Sequence, residues 1–333
     1  MKALVLAGGS IKGAFQAGAV AELLRRGWVP DSIYGVSVGA LNGAFVASRA
    51  GGSASAIGLG SDPNDTAATW TSIADDLESF WREKITSFRV LGKKRSLPCL
   101  IWDIARCRFK GLLKMDGLDR LITREISPEN LRRSPVRFYA VSVNIADGRL
   151  VMVGSGGSSA SGDPGPVGRS DRTSASDVPD TADPPDIRPF ILASTRIPIL
   201  MPIEWIDSQP LLDGGIRDVA PLKHAVDAGA DEIIAVLCHP RSVSRTPFDP
   251  GNLMQLAGRV MELVIHEILS NDLDLAHRIN DAVQAGTDTK HRILRLTEIR
   301  PAAPLEIEIE RFSKGQIRDV VDLGKSTVRE ALA

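Results

Sequence analysis

Three short stretches of the chain hold side chains whose types and spacing suit acyl transfer. In Gly35-Val36-Ser37-Val38-Gly39 a serine stands between two glycines. Gly-x-Ser-x-Gly between a strand and a helix is the nucleophile-elbow pattern. Gly35 and Gly39 let the backbone turn sharply, so the Ser37 hydroxyl projects and N–H groups face a reacting carbonyl. Upstream, Gly8-Gly9-Ser10-Ile11-Lys12-Gly13 follows an apolar run and precedes a helical pattern. Backbone N–H groups at such a turn hold negative charge, either a phosphate or the oxyanion of an intermediate formed at Ser37. The loop has neither the Gly-x-x-x-x-Gly-Lys-Ser/Thr nor the Gly-x-Gly-x-x-Gly spacing, which favours the oxyanion hole.

A serine hydroxyl is barely ionised at neutral pH and needs a base. Two candidates are open. His239 lies just past a buried apolar run with Asp213 upstream, which gives the Ser…Asp…His order of α/β-hydrolases. That fold places its elbow after several strands, whereas here one strand–helix unit and one strand precede Ser37. The other candidate is Asp213 itself, in Leu211-Leu212-Asp213-Gly214-Gly215. Gly214 and Gly215 permit a tight turn that holds the carboxylate against another loop. A carboxylate serves as base only when partly desolvated and aimed at the serine proton. An ordinary Asp-Gly turn fits the same residues. His224, His266, His277 and His291 read as surface or core-edge residues.

These residues need a scaffold. Ala3 to Ala7 reads as a buried strand closed by Gly8-Gly9. Residues 13–26 place Phe15, Ala19, Val20, Leu23 and Leu24 on one helical face, with Gly27 as a C-cap. Ser32 to Tyr34 is a second strand, and Ala40 to Ser48 a small-residue helix. This order predicts a parallel sheet covered by helices. Residues 51–66, rich in Gly, Ser and Asp, read as a loop insertion, and 70–133 as a mostly helical, lid-like region. Val136–Asn144 and Arg149–Val153 read as a hairpin. Residues 154–186 lose nearly all large apolar side chains and read as a disordered, low-complexity excursion. Glu232–Cys238 and Arg292–Ile299 read as strands, about 250–285 and Gly315–Leu332 as helices.

The 333 residues suffice for a single domain with insertions. A net charge of −1 gives no long-range field for nucleic acid. Cys99, Cys107 and Cys238 are odd in number and widely spaced, which fits neither disulfides nor zinc and suits a reducing compartment. The N-terminal apolar run is too short for a signal core, and no stretch reaches about 18 apolar residues. A cytoplasmic location is expected, with peripheral membrane association open.

Four blocks together resemble the patatin-like phospholipases. They are Gly8–Gly13, then Gly35–Gly39 continued as Ala40-Leu41-Asn42, then Ala193-Ser194-Thr195-Arg196-Ile197-Pro198, then Asp213-Gly214-Gly215 with Pro221 and Gly229-Ala230-Asp231. The resemblance runs from the start to about residue 240. It implies a three-layer α/β/α fold with a mainly parallel central sheet across 1–333 and a helical lid insertion. It also implies a Ser37–Asp213 dyad without a catalytic histidine, an oxyanion hole drawn from Gly8, Gly9, Ser10, Lys12 and Gly13, and no metal or organic cofactor. The implied activity is carboxylic-ester hydrolysis of phospholipid, lysophospholipid or related lipid esters. Ser10 departs from the family, which has glycine there; its side chain narrows the loop or imposes a different backbone angle. Lys12 matches a basic position and reads as a helix-start surface residue or an attractor of anionic headgroups. Residues 91–115 mix basic and large apolar side chains, either as a helix pair with a solvated basic face or as a segment that meets anionic lipid. A non-catalytic lipid- or protein-binding member and a phosphate- or nucleotide-binding module using Gly8–Gly13 remain as rival readings.

Overall fold

Residues 3–7 divide their side chains between two cores: Leu4 and Leu6 enter one, Ala3, Val5 and Ala7 the other. A strand covered on both faces loses the polar alternation of a half-exposed one, hence its unbroken apolar sequence. The computed structural model describes residues 1–57, 61–156, 186–243, 249, 251, 253–287 and 293–333. Its strands are β1 (Lys2–Leu6), β2 (Ser32–Val36), β3 (Lys93–Lys94), β4 (Leu113–Lys114), β5 (Arg137–Asn144), β6 (Leu150–Ser155), β7 (Glu204–Ile206), β8 (Gln209–Asp213), β9 (Glu232–Val236) and β10 (Arg295–Ile299). Its helices are α1 (Gly13–Arg25), α2 (Val38–Gly52), α3 (Ala54–Ile57), α4 (Pro63–Ser79), α5 (Phe88–Leu91), α6 (Leu97–Ala105), α7 (Asp116–Glu125), α8 (Pro128–Arg133), α9 (Arg188–Ser194), α10 (Leu222–Asp227), α11 (Leu253–Gln284) and α12 (Lys314–Ala331).

The central sheet runs β10-β9-β1-β2-β5, all parallel. β6 and β8 pair with β5 antiparallel, and β7 continues from β8. Helices α1, α2, α4 and α12 pack over one face and α10 and α11 over the other. The result is a three-layer α/β/α fold with a mostly parallel sheet. Helices α1 and α12 cross with little room: a Cβ on Gly18 would lie 1.9 Å from the Val321 carbonyl oxygen, and one on Gly324 2.0 Å from that of Phe15. Glycine at both positions lets the two backbones meet.

The structure departs from the sequence reading in two places. Residues 51–66 are mainly helical where described: α2 runs on to Gly52, α3 follows, and α4 begins at Pro63. The start of α4 is encoded locally, since the Asp62 carboxylate caps the Asn64 N–H and Pro63 takes the first turn. Residues 91–115 hold one helix, α6, between the strands of a two-stranded ribbon, β3 and β4, rather than a helix pair. The low-complexity excursion lies outside the described residues from 157 to 185; residues 154 and 155 finish β6.

Candidate functional site

β2 and β8 meet end to end on one edge of β5. β2 pairs in parallel as far as Val36 opposite Val141. One further step would set Ser37 opposite Ser142, but Asp213, the last residue of antiparallel β8, holds that register position. The chain therefore leaves the sheet at Ser37 just where it arrives at Asp213, and the two side chains are brought together from 176 positions apart in sequence. Both residues are buried.

Ser37 takes φ 56°, ψ −125°, a left-handed backbone that costs an L-residue about 1–3 kcal/mol. The strain is held by close packing. A Cβ on Gly39 would fall 2.1 Å from the Leu6 carbonyl oxygen, so only glycine lets α2 start so near β1. The Ser37 N–H donates to Ser194 Oγ at 2.8 Å, and Ser194 Oγ donates to the Val141 carbonyl at 2.6 Å. Ser194 thereby fills the gap in the ladder between β2 and β8. On the other side the Asp213 N–H donates to the Arg196 carbonyl at 3.1 Å.

Burial pushes the Asp213 carboxyl up to about 6, against the opposing pull of hydrogen bonds from the Ser37 hydroxyl and the Gly215 N–H. The Gly215 bond is 2.8 Å long. Charge on this carboxylate is thus tolerated but uncomfortable, the condition for a base near neutral pH.

The Gly8–Gly13 loop opens with a 3-10 turn, Ser10–Lys12, that leads into α1. Several of its amides are already engaged: Gly8 N–H donates to the Val219 carbonyl, Lys12 N–H to that of Gly9, and Gly13 N–H to those of Ile11 and Ser10. Among the described residues the amides of Gly9, Ser10 and Ile11 make no such bond. A buried polar network ties this loop to the elbow. Gln16 Nε2 donates to the carbonyls of Ala7 and Val236, Asn42 Nδ2 to those of Gly13 and to Gln16 Oε1, and Trp81 Nε1 to Asn42 Oδ1.

A cavity of about 50 Å³ opens beside Ser37, and its lining includes Ser10, Leu41, Trp81, Met115 and Met201. Trp81, Leu91, Met115 and Leu118 come from the 70–133 region, so that region forms part of its wall.

His239 does not join this group. The hydrogen-bonding groups acting on Asp213 are Ser37 and Gly215, and His239 Nε2 is buried without a partner among the described residues. Burial, then Lys12 and His266, push its imidazole down to about 3, so it is neutral at physiological pH. His224 stands 3.6 Å from Asp218 instead. Lys12 Nζ acts electrostatically on Cys238 and His239, and burial pushes the Cys238 thiol up to about 12. Among the described residues no three His, Cys, Asp or Glu side chains converge as a metal site. Ser194 and Asn42 also hold the elbow in place, although the sequence alone assigns neither a role. Their signal was weak, a small polar residue in an apolar helix with partners 157 and 39 positions away.

Fold and elbow together define an α/β/α protein whose serine stands on a strained strand-to-helix turn. The chain belongs to the patatin-like phospholipase family, whose model, Patatin, matches residues 4–226. Membership points to lipid acyl hydrolysis, the chemistry of carboxylic-ester hydrolases. Among solved structures, VipD from Legionella pneumophila is 13% identical with a TM-score of 0.43, over 99% of this chain and 66% of VipD. This chain thus spans about two thirds of VipD. No curated protein matches the sequence.

Proposed function

We propose that the chain is a lipid acyl-ester hydrolase in which Ser37 is the nucleophile and Asp213 its base. The observation that carries this reading is the buried Asp213 carboxyl, pushed up to about 6 and hydrogen-bonded by the Ser37 hydroxyl. At pH 7 it is mostly ionised yet basic enough to take a proton in a transition state. Ser37 Oγ attacks the ester carbonyl as its proton passes to Asp213. The oxyanion is held by the free amides of Gly9, Ser10 and Ile11, with Gly8, Lys12 and Gly13 shaping the loop. The alkoxide leaves with the proton from Asp213, and an acyl-enzyme remains on Ser37. Asp213 then takes a proton from water, whose oxygen attacks the acyl carbon; as this second intermediate collapses, Asp213 returns the proton to the departing Ser37 Oγ and fatty acid is released.

Ester hydrolysis by wild type, Ser37→Ala and Asp213→Ala, across short and long acyl chains, tests the dyad. Both variants should lose activity by 10³-fold or more, by the usual scale of such deletions. His239→Ala should keep it. A fluorophosphonate probe should label wild type at Ser37, whereas an unlabelled, folded wild type would favour a non-catalytic binding protein.

The reading includes peripheral contact with anionic membrane surfaces through α6. Leu97, Ile101 and Ile104 recur at i, i+4 and i+7 on this helix, and with Trp102 they are 68%, 60%, 61% and 59% exposed in the order Leu97, Ile101, Ile104, Trp102. Residues 89–114 carry eight Lys or Arg against one acid, Asp103, in a chain of net charge −1. An apolar helix face ringed by cations matches an anionic bilayer surface. Among the described residues no helix is long and apolar enough to cross a membrane. Flotation with anionic vesicles should carry the protein upward, and no binding would remove this part of the reading.

A further inference from the structure

Three hydroxyl-bearing residues, Ser10, Ser37 and Thr195, are among those lining the cavity beside the elbow. Thr195 Oγ1 donates to the Leu192 carbonyl at 2.8 Å. The Ser37 hydroxyl bonds to Asp213. Ser10 Oγ is buried and, among the described residues, has no partner. Its backbone also holds φ 53°, in the left-handed region that L-residues avoid. Two costs therefore coincide at one residue, a strained backbone and an unsatisfied hydroxyl, and glycine would remove both. Strain and an unpaired polar group that coincide beside a cavity need a reason, and a partner that arises only during the reaction supplies one.

We propose that the Ser10 hydroxyl is a catalytic hydrogen-bond donor to the oxyanion formed at Ser37, adding a side-chain donor to the loop's backbone amides. The inference rests on the hydrolase reading above. A hydroxyl with no acceptor among the described residues would gain its bond when negative charge develops on the carbonyl oxygen. That is the differential interaction that speeds a reaction rather than tightening substrate binding. The cavity wall around it is apolar, with Ile11, Val38, Leu41 and Trp81 among its neighbours, so a charge-assisted bond there is little weakened by water. Ser10 begins the turn that leads into α1, so its hydroxyl is carried by the same rigid segment as the amides it would assist. No proton is transferred: the Ser10 proton stays on its oxygen through both halves of the reaction, and Asp213 remains the base.

Ser10→Gly and Ser10→Ala, assayed on one soluble ester together with inhibition by a lipid-like trifluoromethyl ketone, test this. The ketone adds to Ser37 as a hemiketal and presents the same oxyanion without turnover. In both variants kcat should fall by roughly 10²-fold with KM nearly unchanged, by the usual cost of removing one oxyanion donor. Ketone affinity should fall by a similar factor. Ser10→Gly should melt at a higher temperature than wild type, because it loses the strained φ, so its slower turnover would not reflect poor folding. Ser10→Gly that turns over as fast as wild type, or faster, overturns the proposal and leaves Ser10 as a strained substitute for glycine. Fluorophosphonate labelling of Ser37 is read in parallel: wild type that neither labels nor turns over sinks the hydrolase reading and this proposal together, whereas labelled, active wild type with an unimpaired Ser10→Gly sinks this proposal alone.

Discussion

Ser194 Oγ accepts the Ser37 N–H at 2.8 Å and donates to the Val141 carbonyl at 2.6 Å, so one buried hydroxyl joins the elbow to the strand beside it. The Ser37 amide is therefore spent on holding the turn and is not free to donate to an oxyanion. Ser194→Ala strands a buried N–H and a buried C=O at once. It should cost about 1–3 kcal/mol in denaturant unfolding and should lower kcat more than it raises KM, because the left-handed angle at Ser37 loses its tether. A variant with full stability and full kcat would show that packing alone sets the elbow.

Asp213 makes activity and stability respond to pH in opposite directions. Its carboxyl lies at about 6 in the folded protein against 3.8 as a free side chain. Only the ionised form serves as base, so kcat/KM should rise with pH to a plateau, with its acid limb near 6. The protonated form, however, is the one the fold prefers. The stability it contributes is whole below about pH 4 and is lost as pH rises through 6, about 3 kcal/mol in all. Asp213→Asn keeps an oxygen for the Gly215 N–H and removes the buried charge. It should abolish turnover yet melt higher than wild type at pH 8, with a smaller gain at pH 4. Equal melting temperatures at pH 8 would mean that water reaches the carboxylate.

Asp218 and Asp272 form a second buried pair, hydrogen-bonded to each other. Burial chiefly, then the neighbouring Asp272 carboxylate, holds Asp218 well above the usual carboxylate range, and burial pushes Asp272 up to about 6. Asp272 Oδ2 accepts the N–H groups of Val219 and Ala220, and the Val219 carbonyl accepts from Gly8. The pair thus anchors the start of the Gly8–Gly13 loop from the far face of the sheet. Asp218→Asn lets Asp272 ionise without a like charge beside it. Unfolding experiments should find it more stable than wild type above pH 7 and little different at pH 4.

The parts of the site closest in sequence were legible in the residues, and the parts that depend on register were not. Strand, glycine turn and helix each leave a local mark, so β1, α1, β2 and the elbow follow from Ala3–Ala7, the face of residues 13–26 and Gly35–Gly39. Nothing local says that β8 runs antiparallel and stops opposite Ser142. Two residues, Asp213 and Ser142, had to be paired across 71 positions, and only the folded sheet selects that pairing. Ser194 and Asn42 were invisible as functional residues for the same reason, because a small polar side chain declares its role only through its partners. The helical start at Pro63 was legible in Asp62-Pro63 but was masked by the Gly- and Ser-rich composition before it.

The cavity beside Ser37 is about 50 Å³, far below the roughly 300–1,000 Å³ of pockets that enclose drug-sized ligands, so enclosing a long acyl chain would need its wall to move. Part of that wall is joined through the β3–β4 ribbon to the basic, apolar α6. β4 is bonded through Leu112 and Leu113 to the carbonyls of Ile199 and Leu200, beside Met201 in the cavity lining, and Met115 follows β4 directly. If α6 seats in an anionic bilayer as proposed, any displacement of it is passed to this ribbon. Hydrolysis of a long-chain ester should therefore rise severalfold when anionic vesicles are added, while a short-chain ester that fits the closed cavity should change little. Ile101→Ser with Trp102→Ser should remove the rise and leave short-chain turnover intact, since both side chains face solvent and neither lines the cavity. If long- and short-chain rates respond alike to vesicles, opening is not coupled to α6, and the wall must yield to substrate alone.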